Sequence, residues 1–293
     1  MTTTFGICTD QNQPYDTLTE RWRMFEELGF DSVWDTDHFN QPSQPTGPLF
    51  EGWTLLSALA VHTTSIRIGV LVSSNTFRHP ALLAQQAMTV DHVSSGRLTL
   101  GIGCGWYEGE HQRMGIEFDT PPERVDRFRE AVEIVDSLLR NETTTYNGEY
   151  YQLDQAYVRP GPVQRPRPPL MLAAHRNHML RICAQYADIW NSFGTVEEMA
   201  ERNSILNEHC VSIGREPSEI RRSFYGWASK MTEQGLPDPW ESPDAFEEVI
   251  EQYRAIGIDD FVIDQPRPDQ QRTLERIAAD TIPRLRQTGS VSV

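Results

Sequence analysis

Lysine is almost missing from this sequence: 25 of its 26 basic residues are arginines, and Lys230 stands alone. Schiff-base chemistry therefore has one candidate position, and nothing beside Lys230 supports it. Positive charge is short overall, with 42 acidic side chains and a formal net charge of −16. Such a chain repels phosphodiesters and anionic lipid surfaces, which argues against nucleic-acid and membrane partners. Cysteine is sparse too. Cys8, Cys104, Cys183 and Cys210 lie far apart with no CxxC pair, so reduced thiols in a cytoplasmic protein are expected, not a disulfide framework. No apolar run reaches the length of a membrane span, and the start MTTTFGICTDQ lacks the basic and apolar regions of a leader.

What the sequence does contain is a repeated alternation of period-2 and period-3.6 patterns. Thr4–Cys8 predicts a strand, after which Leu18, Trp22, Phe25 and Leu28 share a helical face. Gly29 stands where a helix ends on a positive-φ residue, and 30–34 predicts the next strand. Helix, glycine and strand recur in the same order at 245–256, Gly257 and 260–263. Further strands are expected at 66–72, 97–103, 169–173, 188–193 and 220–229. Helices are expected at 80–93, 123–140, 177–187, 196–213, 243–256 and 270–287. Apolar strands joined by helices predict a parallel sheet covered on its outside. Eight strand–helix units in one 293-residue chain match the size of an α/β (β/α)8 TIM barrel. A doubly wound sheet is the alternative, weakened by the lack of GxGxxG after the first strand. Residues 141–168 break the alternation with a hairpin-like Asn147-Gly148 and a proline-rich run. They read either as a lid over the barrel mouth or as a surface loop that packs a partner subunit.

In such a barrel the reactive groups sit at the C-terminal ends of strands. Asp37-His38 after the second strand offers an imidazole beside a carboxylate, the combination general acid–base work needs. The plainer reading is a capped turn with a polar neighbour. After the third strand, Ser73, Ser74, Asn75 and Arg78 can reach a planar ligand's heteroatoms, or simply form a turn. After the fourth, Gly103-Cys104-Gly105 lets backbone approach something closely, and Cys104 reads as small, not reactive. After the fifth, Ala174, His175, Arg176 and Asn177 begin a helix and form a plausible phosphate seat. His175 and His178 could also be read as metal ligands, but no further cluster completes a coordination set, so no metal is expected.

The run HPALLAQQAMTVDHVSSGRLTLGIGCGWYEGEHQRMGIEF (79–118) resembles the luciferase-like monooxygenase superfamily. ELGFDSVWDTDHF (27–39), SIRIGVLVSSNTFRHP (65–80), the 148–174 stretch and QYADIWN (185–191) match it in the same order. The resemblance spans residues 4–290 and implies a single (β/α)8 domain over 1–293, a homodimer and a flavin-type cofactor. Asp37-His38 and the GWYE turn look more like the branch that uses the deazaflavin F420 for hydride transfer than the branch that uses reduced FMN with O2. Carried over, His38 is the acid–base group and Asp37 orients it or binds the ring edge. Leu71, Val72 and Ser73 form the backing bulge, where the family often has a non-proline cis peptide. Asn75 and Gly103, Cys104 and Gly105 lie against the cofactor, and residues 174–177 hold its phosphate. Glu51, Trp53 and Trp106 line the substrate pocket. Arg78 and Arg176 are the expected cationic contacts to an anionic cofactor in an acidic chain.

Two departures bear on substrate. Trp106 stands where sugar-phosphate dehydrogenases of the F420 branch carry a catalytic Glu, and Gln41-Pro42 replaces their Trp after the histidine, so a sugar 6-phosphate is disfavoured. The expected activity is hydride transfer between F420 and a small organic substrate. The alternatives are an FMNH2-dependent monooxygenase served by a partner reductase, and a non-catalytic flavin-binding paralogue.

Overall fold

A computed structural model describes residues 2–287; the expected domain's ends, residue 1 and 288–293, lie outside them. In chain order the elements begin β1 (Thr4–Cys8), α1 (Tyr15–Glu27), β2 (Ser32–Asp35), α2 (Gly52–Ala60), β3 (Arg67–Val70), β4 (Ser73–Ser74) and α3 (Pro80–Val93). They continue as β5 (Leu100–Gly103), α4 (Glu108–Met114), α5 (Pro121–Arg140), β6 (Thr144–Asn147), β7 (Gln152–Ala156), β8 (Leu170–Ala173) and α6 (Asn177–Tyr186). The last are β9 (Ile189–Ser192), α7 (Val196–Ser212), β10 (Arg221–Gly226), α8 (Ala228–Glu233), α9 (Pro243–Arg254), β11 (Asp260–Asp264), α10 (Gln271–Arg276) and α11 (Ile282–Gln287). With β3 and β4 taken as one interrupted strand and the β6–β7 hairpin set aside, eight strand–helix units remain, the element order of a (β/α)8 barrel.

Contacts group the chain into two compact units. The first comprises Met1–Asp10, Glu20–Trp34 and the chain from Ala174 on. Its strands pair in parallel in the order β2-β1-β11-β10-β9, with Ile7 level with Val33 on one side and Ile263 on the other. Phe5, Phe246 and Phe261 close the apolar layer under its helices. Gly29 and Gly257 both adopt positive φ, +80° and +88°, as the helix–glycine–strand pattern requires. The expected continuous helix 270–287 is instead α10, a π-turn over Ile277–Thr281, and α11. Pro283 gives the cause: it has no N–H to donate and its ring crowds the carbonyl four residues back.

The second unit comprises Gln11–Thr19 and Asp35–Ala173. Here β5 lies between β4 and β8, both parallel to it, and β3 meets the start of β5 at Ile68 and Leu98. Three helices absent from the sequence reading belong to short or capped segments: α2, α4 and, in the first unit, α8. Helix α2 starts because Glu51 accepts the Trp53 and Thr54 backbone N–H groups as its N-cap. The 141–168 segment folds as the expected hairpin, β6 antiparallel to β7, along α5. Glu130 on α5 is its anchor, accepting the N–H groups of Glu149, Tyr150 and Tyr151 at 2.8, 3.0 and 3.2 Å. Beyond the hairpin, Val163 and Gln164 bind Asp91 near the C-terminal end of α3, and Gln164 also donates to the Leu98 carbonyl. Those anchors lie where strands begin. At the hairpin tip Tyr151 reaches the loop after β4, its ring centroid 5.1 Å from that of His79. A cavity of about 450 Å³ between the end of α5 and residues 158–165 holds none of the expected site residues.

Candidate active site

Asp37 and His38 are adjacent in sequence but take different partners. Asp37 is buried and accepts both guanidinium nitrogens of Arg78, at 2.5 and 2.8 Å, together with the Ser74 backbone N–H at 2.6 Å. Glu51 lies 3.5 Å from the same guanidinium, whose affinity for its proton rises through the bonds to Asp37 even though burial opposes it. The Asp37–Arg78 pair therefore ties the loop after β2 to the loop after β4. Its atoms are engaged with each other, so Arg78 is placed as a structural cation. Glu51 is likewise occupied, as the cap of α2 and the second acid on Arg78. Trp53, expected in a substrate pocket, is 2% exposed and donates its indole N–H to Ser73 Oγ at 3.0 Å. Once α2 begins at Gly52, Trp53 falls on its buried face.

His38 keeps 19% of its side chain exposed and places Nδ1 2.8 Å from Glu110 Oε1, while Glu110 Oε2 accepts the Phe39 N–H at 2.9 Å. A carboxylate here only accepts, so the ring proton sits on Nδ1 and Nε2 is the nitrogen not engaged by Glu110. Trp106, 57% exposed, stands edge-on to His38 with centroids 5.8 Å apart. Glu110 was missed in the sequence because it lies 72 residues from His38. The readable signal was its place on a short helix directly after the glycine-rich turn.

The Leu71–Val72 peptide is cis, as the resemblance anticipates. The glycines opposite have a packing reason. A Cβ on Gly101 would lie 2.3 Å from the Val70 carbonyl, on Gly103 2.7 Å from Val72 Cγ2, and on Gly105 2.9 Å from Ser74 Oγ. Strand β5 thus needs glycine to lie against the 70–76 segment. Between them Cys104 has its thiol pushed up by burial, so it remains a small neutral side chain. Asn75 donates its backbone N–H to the Gly103 carbonyl, and its buried amide nitrogen lies near the Tyr151 hydroxyl.

Asp35, at the end of β2, is fully buried, and its carboxyl finds no partner beyond its own backbone N–H among the described residues. Burial first, then Asp37 and Glu51, hold its carboxyl well above the usual carboxylate range. The folded protein keeps this proton while the unfolded chain releases it above about pH 4. Stability is therefore lost as pH rises from there. We expect Asp35→Asn to raise the melting temperature at pH 7, with the gain over wild type shrinking toward pH 4, as thermal denaturation across that range will show.

In the other unit, the expected phosphate seat is built as follows. His175 Nδ1 lies 2.7 Å from Ser192 Oγ, and Arg202, absent from the sequence reading, donates to the Phe193 carbonyl at 2.6 Å and to Ser192 Oγ at 3.3 Å. Burial, then Arg202 and Arg176, push the His175 ring down to about 4. Ala174 is buried, its carbonyl accepting the Trp190 indole N–H. Asn177 is turned to His209, 2.7 Å away, while Arg176 is exposed at the N-cap of α6. Lys230 is paired with Glu233 at 2.6 Å.

The luciferase-like monooxygenase family matches residues 1–229 of this chain. The F420-dependent glucose-6-phosphate dehydrogenase of Intrasporangium calvum is 30% identical over 312 residues, 89% of this chain and 92% of that protein. The coenzyme F420 dependent tetrahydromethanopterin reductase of Methanopyrus kandleri superposes with a TM-score of 0.82 at 20% identity, over 97% of this chain and all of that one. A monooxygenase of Streptomyces bottropensis superposes with a TM-score of 0.79 at 21% identity, over 96% of this chain and 99% of that one. These two structural likenesses show the fold, a (β/α)8 barrel.

Proposed function

Because the chain belongs to the luciferase-like monooxygenase family, we propose that it is an F420-dependent oxidoreductase acting on a small organic substrate, with His38 moving the proton. The observation that carries this reading is the His38–Glu110 pair at 2.8 Å, which engages Nδ1 and leaves Nε2 free of Glu110 on a partly exposed ring beside Trp106. The F420-dependent dehydrogenase at 30% identity favours the deazaflavin over FMN.

The residues present fit a planar ring with polar edges. Asn75 offers a buried amide near the Tyr151 hydroxyl, and the hydroxyl of Ser74 adjoins it in sequence. The deazaflavin, when bound, exchanges a hydride with a substrate carbon. The chain supplies the rest. Nε2 of His38 takes the substrate's hydroxyl proton or returns it, and Glu110 stabilises the imidazolium that forms. Asp37 and Arg78 hold the two loops in place. Trp106 shields one side of the imidazole.

The family match and the extent of the structural likeness support reading 1–293 as one barrel domain. We also place the protein in the cytoplasm, on cysteines that lie far apart in the sequence with no CxxC pair. No described helix is long and apolar enough to cross a membrane. The exposed Val61, Leu82 and Val93 support a homodimer built on α2 and α3. A separate F420 or flavin reductase would regenerate the cofactor. The test is anaerobic turnover of F420 against a panel of alcohols, aldehydes and activated alkenes. Bleaching or recovery of its absorbance without oxygen is expected. Turnover that instead requires FMNH2 and O2 would assign the monooxygenase reading.

A further inference from the structure

Helix α4 carries two consecutive side chains that reach two different loops. Glu110 holds His38, and its neighbour His111 holds Thr76 after β4. His111 is 1% exposed, packed against the rings of Phe77 and Phe118 at 4.9 and 4.5 Å. Its Nδ1 lies 2.8 Å from the Tyr107 carbonyl. A carbonyl only accepts, so Nδ1 carries the proton and, in the neutral ring, Nε2 is an acceptor. The Thr76 hydroxyl, 2.6 Å from Nε2, must then donate to it. Thr76 has no second proton, so the Ser74 hydroxyl, 2.8 Å away, donates to Thr76. The Ser74 proton is consumed in turn. Its Oγ can only accept from anything that binds next.

The direction of the side chain agrees. Ser73 points to the α2 layer, where Trp53 donates to it, so Ser74 projects from the opposite face of β4. Its backbone N–H is already given to Asp37. An acceptor of fixed polarity thus lies next to Asn75, whose buried amide nitrogen is a donor near the Tyr151 hydroxyl. A ring edge that alternates N–H and C=O complements this pair, and one carrying only acceptors does not.

We propose that His111 and Thr76 are positioning residues that lock Ser74 Oγ as a hydrogen-bond acceptor for an N–H on the bound cofactor's ring, an inference that rests on the functional reading above. Neither His111 nor Thr76 needs to touch the cofactor. They act by fixing where one proton points.

The test is a double-mutant cycle read in cofactor affinity, with F420 and FMN each titrated by the quenching of their fluorescence. Ser74→Ala and Thr76→Val are each expected to weaken F420 binding about 3- to 10-fold, the effect of one hydrogen bond. The double variant should bind no more weakly than Ser74→Ala alone, because Thr76 acts only through Ser74. Thr76→Ser restores the donor and should bind within about twofold of wild type. His111→Phe, which keeps an aromatic ring between Phe77 and Phe118, supplies the same cycle if Thr76→Val does not fold. Additive losses in the cycle, or a Thr76→Ser variant as weak as Thr76→Val, would overturn the inference while leaving the functional reading intact. If neither F420 nor FMN binds the wild-type chain, the functional reading falls and this inference with it.

Discussion

Replacing His38 by Asn lowers kcat by about 10²- to 10⁴-fold, the usual worth of a positioned acid–base group, while F420 affinity stays close to wild type. The split follows from the geometry. His38 is anchored through Nδ1 to Glu110, and in the proposed mechanism its Nε2 is the proton-transferring atom, so its loss removes a proton path and not a binding surface. Glu110→Gln costs less, because an amide oxygen still accepts the Nδ1 proton but no longer stabilises the imidazolium. Glu110→Ala costs more than Glu110→Gln, since alanine strips both the His38 Nδ1–H and the Phe39 N–H of an acceptor, whereas the amide oxygen still serves one of them. In the His38→Asn background, Glu110→Gln adds nothing further to the loss of kcat, because the two residues act as one unit. Steady-state kinetics beside cofactor titration will separate these effects. A His38→Asn variant with wild-type kcat would remove histidine from the mechanism.

The largest stability effect is expected at the Asp37–Arg78 pair. Both side chains are buried, at 3% and 7% exposure, and the pair is bidentate. Asp37→Ala leaves a buried guanidinium with only Glu51, 3.5 Å away, and strands the Ser74 N–H. Breaking such a pair costs about 3–5 kcal/mol. For a chain of this length that is a fall in melting temperature of about 10 °C. The double variant Asp37→Asn with Arg78→Met leaves no unpaired charge and should recover much of the loss. Thermal denaturation of the single and double variants measures this directly. An Asp37→Ala protein as stable as wild type would mean that the two loops are held by something else.

Much of the fold could be read in advance because periodicity is local. The strand–helix alternation and the glycines at 29 and 257 are set by residues a few positions apart, and the β6–β7 hairpin follows from Asn147-Gly148. The site was only half legible, because its pairings are not local. Asp37-His38 reads as a mutual pair, yet Asp37 finds Arg78 41 residues on and His38 finds Glu110 72 residues on. Trp53 looks like a pocket residue until Glu51 caps α2 and turns it inward. Gly101, Gly103 and Gly105 read as room for a close backbone approach, and their missing Cβ atoms do make room for the protein's own Val70, Val72 and Ser74. The cis Leu71–Val72 peptide was anticipated from the family resemblance, since nothing in its two residue types marks it.

The central claim is that this barrel uses a deazaflavin, with proton transfer assigned to an imidazole held by Glu110. The most direct measurement is a side-by-side titration of the purified wild-type chain with F420, FMN and FMNH2 under anaerobic conditions. The account predicts saturable binding of F420 that is clearly tighter than that of either flavin form. Tight binding of FMNH2 with no binding of F420 would contradict it.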